Sequence, residues 1–152
     1  MESGLPKKAE LIETFKTLSA KVGPERIVWR YSPILLSQTY TIGHHIKYFE
    51  EFAKRLEGFT NLCRISFLDI YKKIAFSMKS LGIYDVPEKS KRTLTQRLME
   101  IGMAHGITIG GCGNMDLQAV GLAPIGCIDS QLVARVIGKG IQLQNDPGQR
   151  DG

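Results

Sequence analysis

An α/β fold of parallel strands alternating with helices is predicted by three observations. Short β-branched and aromatic runs, such as Ile27-Val28-Trp29 and Ile65-Ser66-Phe67-Leu68, recur between stretches of helical period. Strands separated by helices must return in the same direction, so they form parallel pairs joined by right-handed crossovers. The 152 residues, 43% hydrophobic and 23% charged, suffice for one core and hardly for two. The expectation is a single α/β domain over residues 1–138, followed by a polar, loose tail over 139–152.

The elements follow in order. From Lys7 to Val22, Leu11, Ile12, Phe15, Leu18, Ser19 and Val22 recur at helical spacing, and Gly23-Pro24 stops the helix. Arg26 to Tyr31 reads as a strand, ended at Ser32-Pro33 because proline removes a ladder donor. Thr41 to Leu56 is helical, with Ile42, His45, Ile46, Phe49, Phe52, Ala53 and Leu56 on one stripe and Gly58 as the left-handed stop. Leu62 to Asp69 is the second strand, and Tyr71 to Leu81 a helix. A loop over Gly82 to Ser90 leads to a helix capped by Thr93 and Gln96, which buries Leu94, Leu98 and Ile101 and ends near Gly106. Ile107 to Cys112 is the third strand, running into Gly110-Gly111-Cys112-Gly113. Asn114 caps a short helix over Met115 to Val120, and Asp129 caps another that carries Leu132, Val133, Val136 and Ile137 up to Gly138.

About three strands are few for a closed barrel, which takes ~250 residues. The pattern is therefore a partial, TIM-barrel-like βα segment whose exposed parallel edges call for cover, either from a larger domain or from another chain.

Composition narrows the partners. No apolar run approaches the ~18 residues of a spanning helix, and the opening Met1 to Lys8 lacks the order of a signal peptide, so a cytoplasmic protein is expected. Cys63, Cys112 and Cys127 are widely spaced and odd in number, which fits reduced thiols and assigns no metal ligand. The net charge of +5 is spread over dispersed lysines and arginines. Solvated helix faces explain that dispersion, which weighs against nucleic acid as a partner.

Ligands of parallel α/β folds lie at the carboxyl ends of the strands. The first strand ends in Arg30-Tyr31-Ser32-Pro33, the second in Asp69-Ile70-Tyr71 and the third in Cys112-Gly113-Asn114. An arginine, a carboxylate and a thiol on one rim can bind an anion, position a proton donor and supply a nucleophile or soft ligand, so Arg30, Asp69 and Cys112 are the candidate catalytic residues. The plainer readings are an ion pair between Arg30 and Asp69, and an inert buried thiol at Cys112. Cys63, inside an apolar strand, reads as core. Cys127, ahead of the Asp129 cap, lies where a helix dipole favours a thiolate. His44 and His45 point about 100° apart on their helix, one toward the core and one toward solvent, and make no metal pair. His105 reads as a helix cap. The glycines 110, 111 and 113 complete no dinucleotide or phosphate-loop pattern.

Taken together, Glu10 to Phe15, Gly23-Pro24-Glu25-Arg26-Ile27-Val28-Trp29-Arg30-Tyr31, Ser32-Pro33-Ile34-Leu35-Leu36 and Cys63 to Tyr71 resemble a family of prokaryotic proteins known as domain of unknown function 1848. The likeness continues through Cys112, Asp116-Leu117 and Gly126-Cys127-Ile128-Asp129 to Gln149-Arg150. Full-length relatives carry further barrel-like strands upstream. Downstream they carry a cysteine cluster similar to the iron–sulfur ligands of radical S-adenosylmethionine enzymes. The resemblance thus implies a central fragment of an iron–sulfur barrel protein, inactive alone, with no cofactor in this chain and with an iron–sulfur cluster and S-adenosylmethionine in its longer relatives. Tyr31, Asn114 and Asp129, at or after the strand ends, are the candidates for holding a cofactor. Relatives usually have an aspartate where Ser32 stands and an acidic residue near Asn114, so two carboxylates are missing here. The alternative is a non-catalytic assembly module that completes its sheet by self-association or with missing barrel halves in trans.

Overall fold

The computed structural model describes residues 7–111, 122–124 and 130–138. The expected helix over Met115 to Val120 and the expected tail over 139–152 lie outside them, as do Cys112, Asn114, Cys127 and Asp129.

The first helix, α1 (Lys8–Val22), turns Ile12, Phe15 and Ser19 inward and leaves Leu11, Leu18 and Val22 exposed, so half of its expected apolar stripe faces out. A single helical turn at Pro24–Arg26 leads into β1 (Val28–Ile34). This strand does not end before the proline. It continues through a cis Ser32–Pro33 peptide to Ile34, with the register to its neighbour slipping between Tyr31 and Ile34. Pro33 has no N–H to give a ladder, and an edge strand with a bulge tolerates that loss.

Helix α2 (Ile42–Leu56) begins where the Thr41 hydroxyl accepts from the His44 N–H at 3.1 Å. Its inward stripe is His45, Phe49, Ala53 and Leu56, and it stops ahead of Gly58, whose φ of +76° suits a residue without Cβ. Strand β2 (Leu62–Phe67) is followed by α3 (Lys72–Ser80), which has no buried residue. Helix α4 (Glu88–Ala104) starts about a turn and a half earlier than Thr93 and Gln96 indicate. Pro87 stands at its N-cap, Glu88 sits in the first turn where a carboxylate suits the dipole, and Lys91 pairs with Glu88 at 2.6 Å. Strand β3 (Thr108–Gly111) follows, then a fourth strand missed by sequence, β4 (Ala123–Pro124), too short to show a period, and α5 (Ser130–Ile137).

The sheet order β1-β2-β3-β4 is the order of the chain, and every pair is parallel. Trp29, Cys63 and Ile109 form one row across it, and Arg30, Arg64 and Gly110 the next. Adjacent rows face opposite ways. Trp29 stacks on Phe49 of α2 at 4.6 Å. Ile109 packs against α4 so closely that a Cβ on Gly102 would come within 2.7 Å of it. Helices α2 and α4 therefore cover the same face, and α1 joins them through Ile12. Right-handed crossovers between strands in sequential order place helices on one side, as in βα barrels. The fold is the expected partial βα arrangement. Among the described residues, the core lies between sheet and helices, while the other face carries Arg30, Ser32, Arg64 and Ser66.

Candidate functional site

A cleft of about 790 Å³ opens at the carboxyl end of β1, between the starts of α1 and α2 and the connection after α3. That connection is tied down by a bridge between Leu36 and Tyr84. The sequence of β1 builds the cleft's floor: Trp29 and Tyr31 lean toward α2, Arg30 and Ser32 lie on the opposite face, and both pairs line the opening.

At the centre of its wall, His45 is held at both ring nitrogens. Nε2 lies 2.8 Å from the Leu35 carbonyl oxygen and Nδ1 lies 2.8 Å from the Tyr31 hydroxyl. A carbonyl only accepts, so Nε2 carries the proton and donates it. Nδ1 is then the acceptor, and the Tyr31 O–H donates to it. The same contact is edge-to-face between the rings, and Tyr31 also meets Phe49 edge-on at 5.0 Å. Burial lowers the His45 pKa below its ordinary 6.5, opposed by the Leu35 carbonyl and aided by neighbouring His44. Burial, with Cys63 adding, pushes the Tyr31 phenol up to about 12. Both shifts favour neutral partners, so the pair is a fixed, uncharged hydrogen-bond relay at neutral pH. It does not make Tyr31 an anionic nucleophile.

The two histidines divide as their spacing predicts: His45 is buried and His44 half-exposed. His105 stands at the C-cap of α4, as expected, with Nδ1 3.0 Å from Glu57. Of the candidate residues, Arg30 and Tyr31 share the cleft. Asp69 is exposed beyond β2, does not line the cleft and forms no ion pair with Arg30, which removes the plainer reading of those two residues. Cys112, Asn114 and Asp129 lie outside the described residues. Cys63 is fully buried on the helix side, and burial drives its thiol far above the usual range, so it is a core residue, as its strand predicts.

Sequence reasoning missed His45 as a partner of Tyr31, and Arg64 as the buried neighbour of Arg30. A signal existed for Arg64, because Cys63-Arg64-Ile65-Ser66-Phe67 alternates apolar and polar residues, the mark of a strand with two unlike faces. No local signal pairs Tyr31 with a histidine on the next helix.

Fold and cleft together define an α/β protein of parallel βα units with its ligand-sized opening at a strand end. The family model for the domain of unknown function DUF1848 matches residues 1–152, and the chain belongs to that family. No curated protein and no solved structure matches it. Among the described residues no helix is long and apolar enough to cross a membrane, and no cluster of three or more metal-ligating side chains occurs.

Proposed function

We propose that the chain supplies the strand-end rim of a βα-barrel-type protein that binds a small organic anion, with Arg30 holding the negative charge. The observation that carries this reading is the one-sided layering: the helices cover one sheet face and leave Arg30, Ser32 and Ser66 on the other, beside the cleft. Ser32 and Ser66 hydrogen-bond through their hydroxyls across β1 and β2, a polar contact that an apolar sheet interface would not contain. Asp69, which stands outside the cleft, is carried as the proton donor and Cys112, outside the described residues, as the thiol on the strength of the sequence alone. Tyr31 is a binding group of the rim; Asn114 and Asp129, outside the described residues, are carried as binding groups from the sequence alone.

The iron–sulfur cluster implied for longer relatives does not fit the described residues. Cys63 is the one cysteine among them, and its thiol is buried behind the sheet and held protonated. Among the described residues, the contribution to such a protein is accordingly the rim and not a ligand set.

Thermal melting in rising malate and inorganic phosphate tests the anion reading. Stabilisation that follows ligand concentration and disappears in Arg30→Ala is the expected result. Melting unaffected by either anion would overturn it. The assembly reading rests on a separate feature, that β1 ends the sheet as an edge strand. Light scattering showing a monomer at all concentrations disposes of it.

A further inference from the structure

The walls of the cleft say more about its ligand than the rim arginine does. Rings dominate one side: the His44 ring leans on Tyr48 at 4.3 Å, and Tyr40 meets His44 edge-on at 5.1 Å. The Lys8 ammonium lies 4.9 Å from the centre of the Tyr48 ring. Lys8 and Arg30 bring positive charge, and no described lining residue is an aspartate or glutamate. Cations without a carboxylate select an anion, and a wall of aromatic faces selects a planar body over an aliphatic one. A third element is the polarity of Tyr31. Its proton is committed to His45, whose other nitrogen is committed to Leu35, so the phenol oxygen facing any ligand is left as an acceptor.

We infer that the cleft binds a ring-bearing anion: an aromatic or heteroaromatic plane that carries a carboxylate or phosphate for Lys8 and Arg30 and an O–H or N–H donor for Tyr31. A volume of about 790 Å³ lies within the range of sites for such molecules. This inference rests on the anion-binding reading of the rim and adds the ring and the donor to it. His45 is a positioning residue, because it fixes which way the Tyr31 hydroxyl points.

Calorimetric titration of the 152-residue protein separates the two levels. The probes are para-hydroxybenzoate and guanosine monophosphate as ring-bearing anions, benzoate as a ring without the donor, and malate and inorganic phosphate as anions without a ring. The expected order places the ring-bearing donors about tenfold or more tighter than malate and phosphate, and para-hydroxybenzoate several-fold tighter than benzoate. Tyr48→Ala shrinks the first ratio. Tyr31→Phe, which keeps the ring and removes the oxygen, brings the second toward unity. The wild-type ratios alone decide the matter if either variant does not fold. Malate binding as tightly as the ring-bearing probes overturns the inference and leaves the anion reading standing. If no probe binds, both fall. The better of para-hydroxybenzoate and guanosine monophosphate tells whether the ring comes with a carboxylate or with a phosphate.

Discussion

His45 shows how one buried side chain links stability to pH. Its folded pKa lies below the 6.5 of an exposed histidine, chiefly through burial. Above pH 6.5 both folded and unfolded chains hold it neutral, and its two hydrogen bonds count in full. As pH falls through that value the unfolded chain takes up a proton that the folded chain refuses, so stability is lost with acidification until the folded pKa is passed. Melting temperatures followed from about pH 8 to pH 5 are expected to fall more steeply for the native chain than for His45→Gln. At neutral pH the same substitution costs about 1–3 kcal/mol, because the Leu35 carbonyl and the Tyr31 hydroxyl lose a shaped partner. Equal slopes for the two proteins would show that His45 is not the group that titrates.

Helices α3 and α4 are neighbours in sequence and opposites in packing. Gly102 of α4 lies against β3, where an added Cβ would meet the Ile107 carbonyl oxygen at 2.5 Å. That obstacle is backbone and cannot rotate away, so Gly102→Ala is expected to cost about 1–3 kcal/mol despite alanine's better helix propensity, read as a fall in the denaturation midpoint. In α3, Phe76 is 85% exposed. Phe76→Ser there is expected to change stability by no more than about 0.5 kcal/mol, although the same change in a core would be severe. A large loss for Phe76→Ser, or none for Gly102→Ala, would contradict the packing. The sequence carries α1 and α2 almost to the residue, since in each a clear period runs into a glycine stop at its C-terminal end. It misplaces the start of α4 because Thr93 and Gln96 have the spacing of a capping box, while the residue at the N-cap, Pro87, has no side-chain acceptor. The burial of α3 is illegible for a different reason: Ile74, Ala75, Met78 and Leu81 have helical spacing, but spacing does not say whether anything lies opposite.

Across the described residues, strands β1 to β3 and the helices are legible because each depends on its own residues, whereas the two-residue β4 is not. The one-sided layering follows from their order and the handedness of crossovers. Arg30 and Tyr31 could be placed on a rim for the same reason, as a strand's end is a local feature. The Tyr31–His45 pair could not, because it needs α2 to dock on β1 through the Trp29–Phe49 stack, a contact between residues far apart in sequence. The same division orders the protein's stability. Residues Ile34, Phe49, Ile65, Leu94 and Leu98 are fully buried in one core that joins β1, β2, α2 and α4, with Thr60 pinning the start of β2 to the Ile27 carbonyl at 2.8 Å. Helix α3 contributes nothing to that core. Its amides can therefore open without disturbing the rest, whereas those of β2, flanked by strands on both sides, open only with the core. Hydrogen exchange under native conditions is expected to label α3 first and β2 last. Because the β1 amides at Trp29 to Tyr31 border the cleft, a ligand bound there slows them by more than it slows β3. Equal protection of α3 and β2 would mean that a surface outside the described residues covers α3. Protection that spreads evenly over β1 and β3 on adding ligand would place the binding site away from the β1 rim.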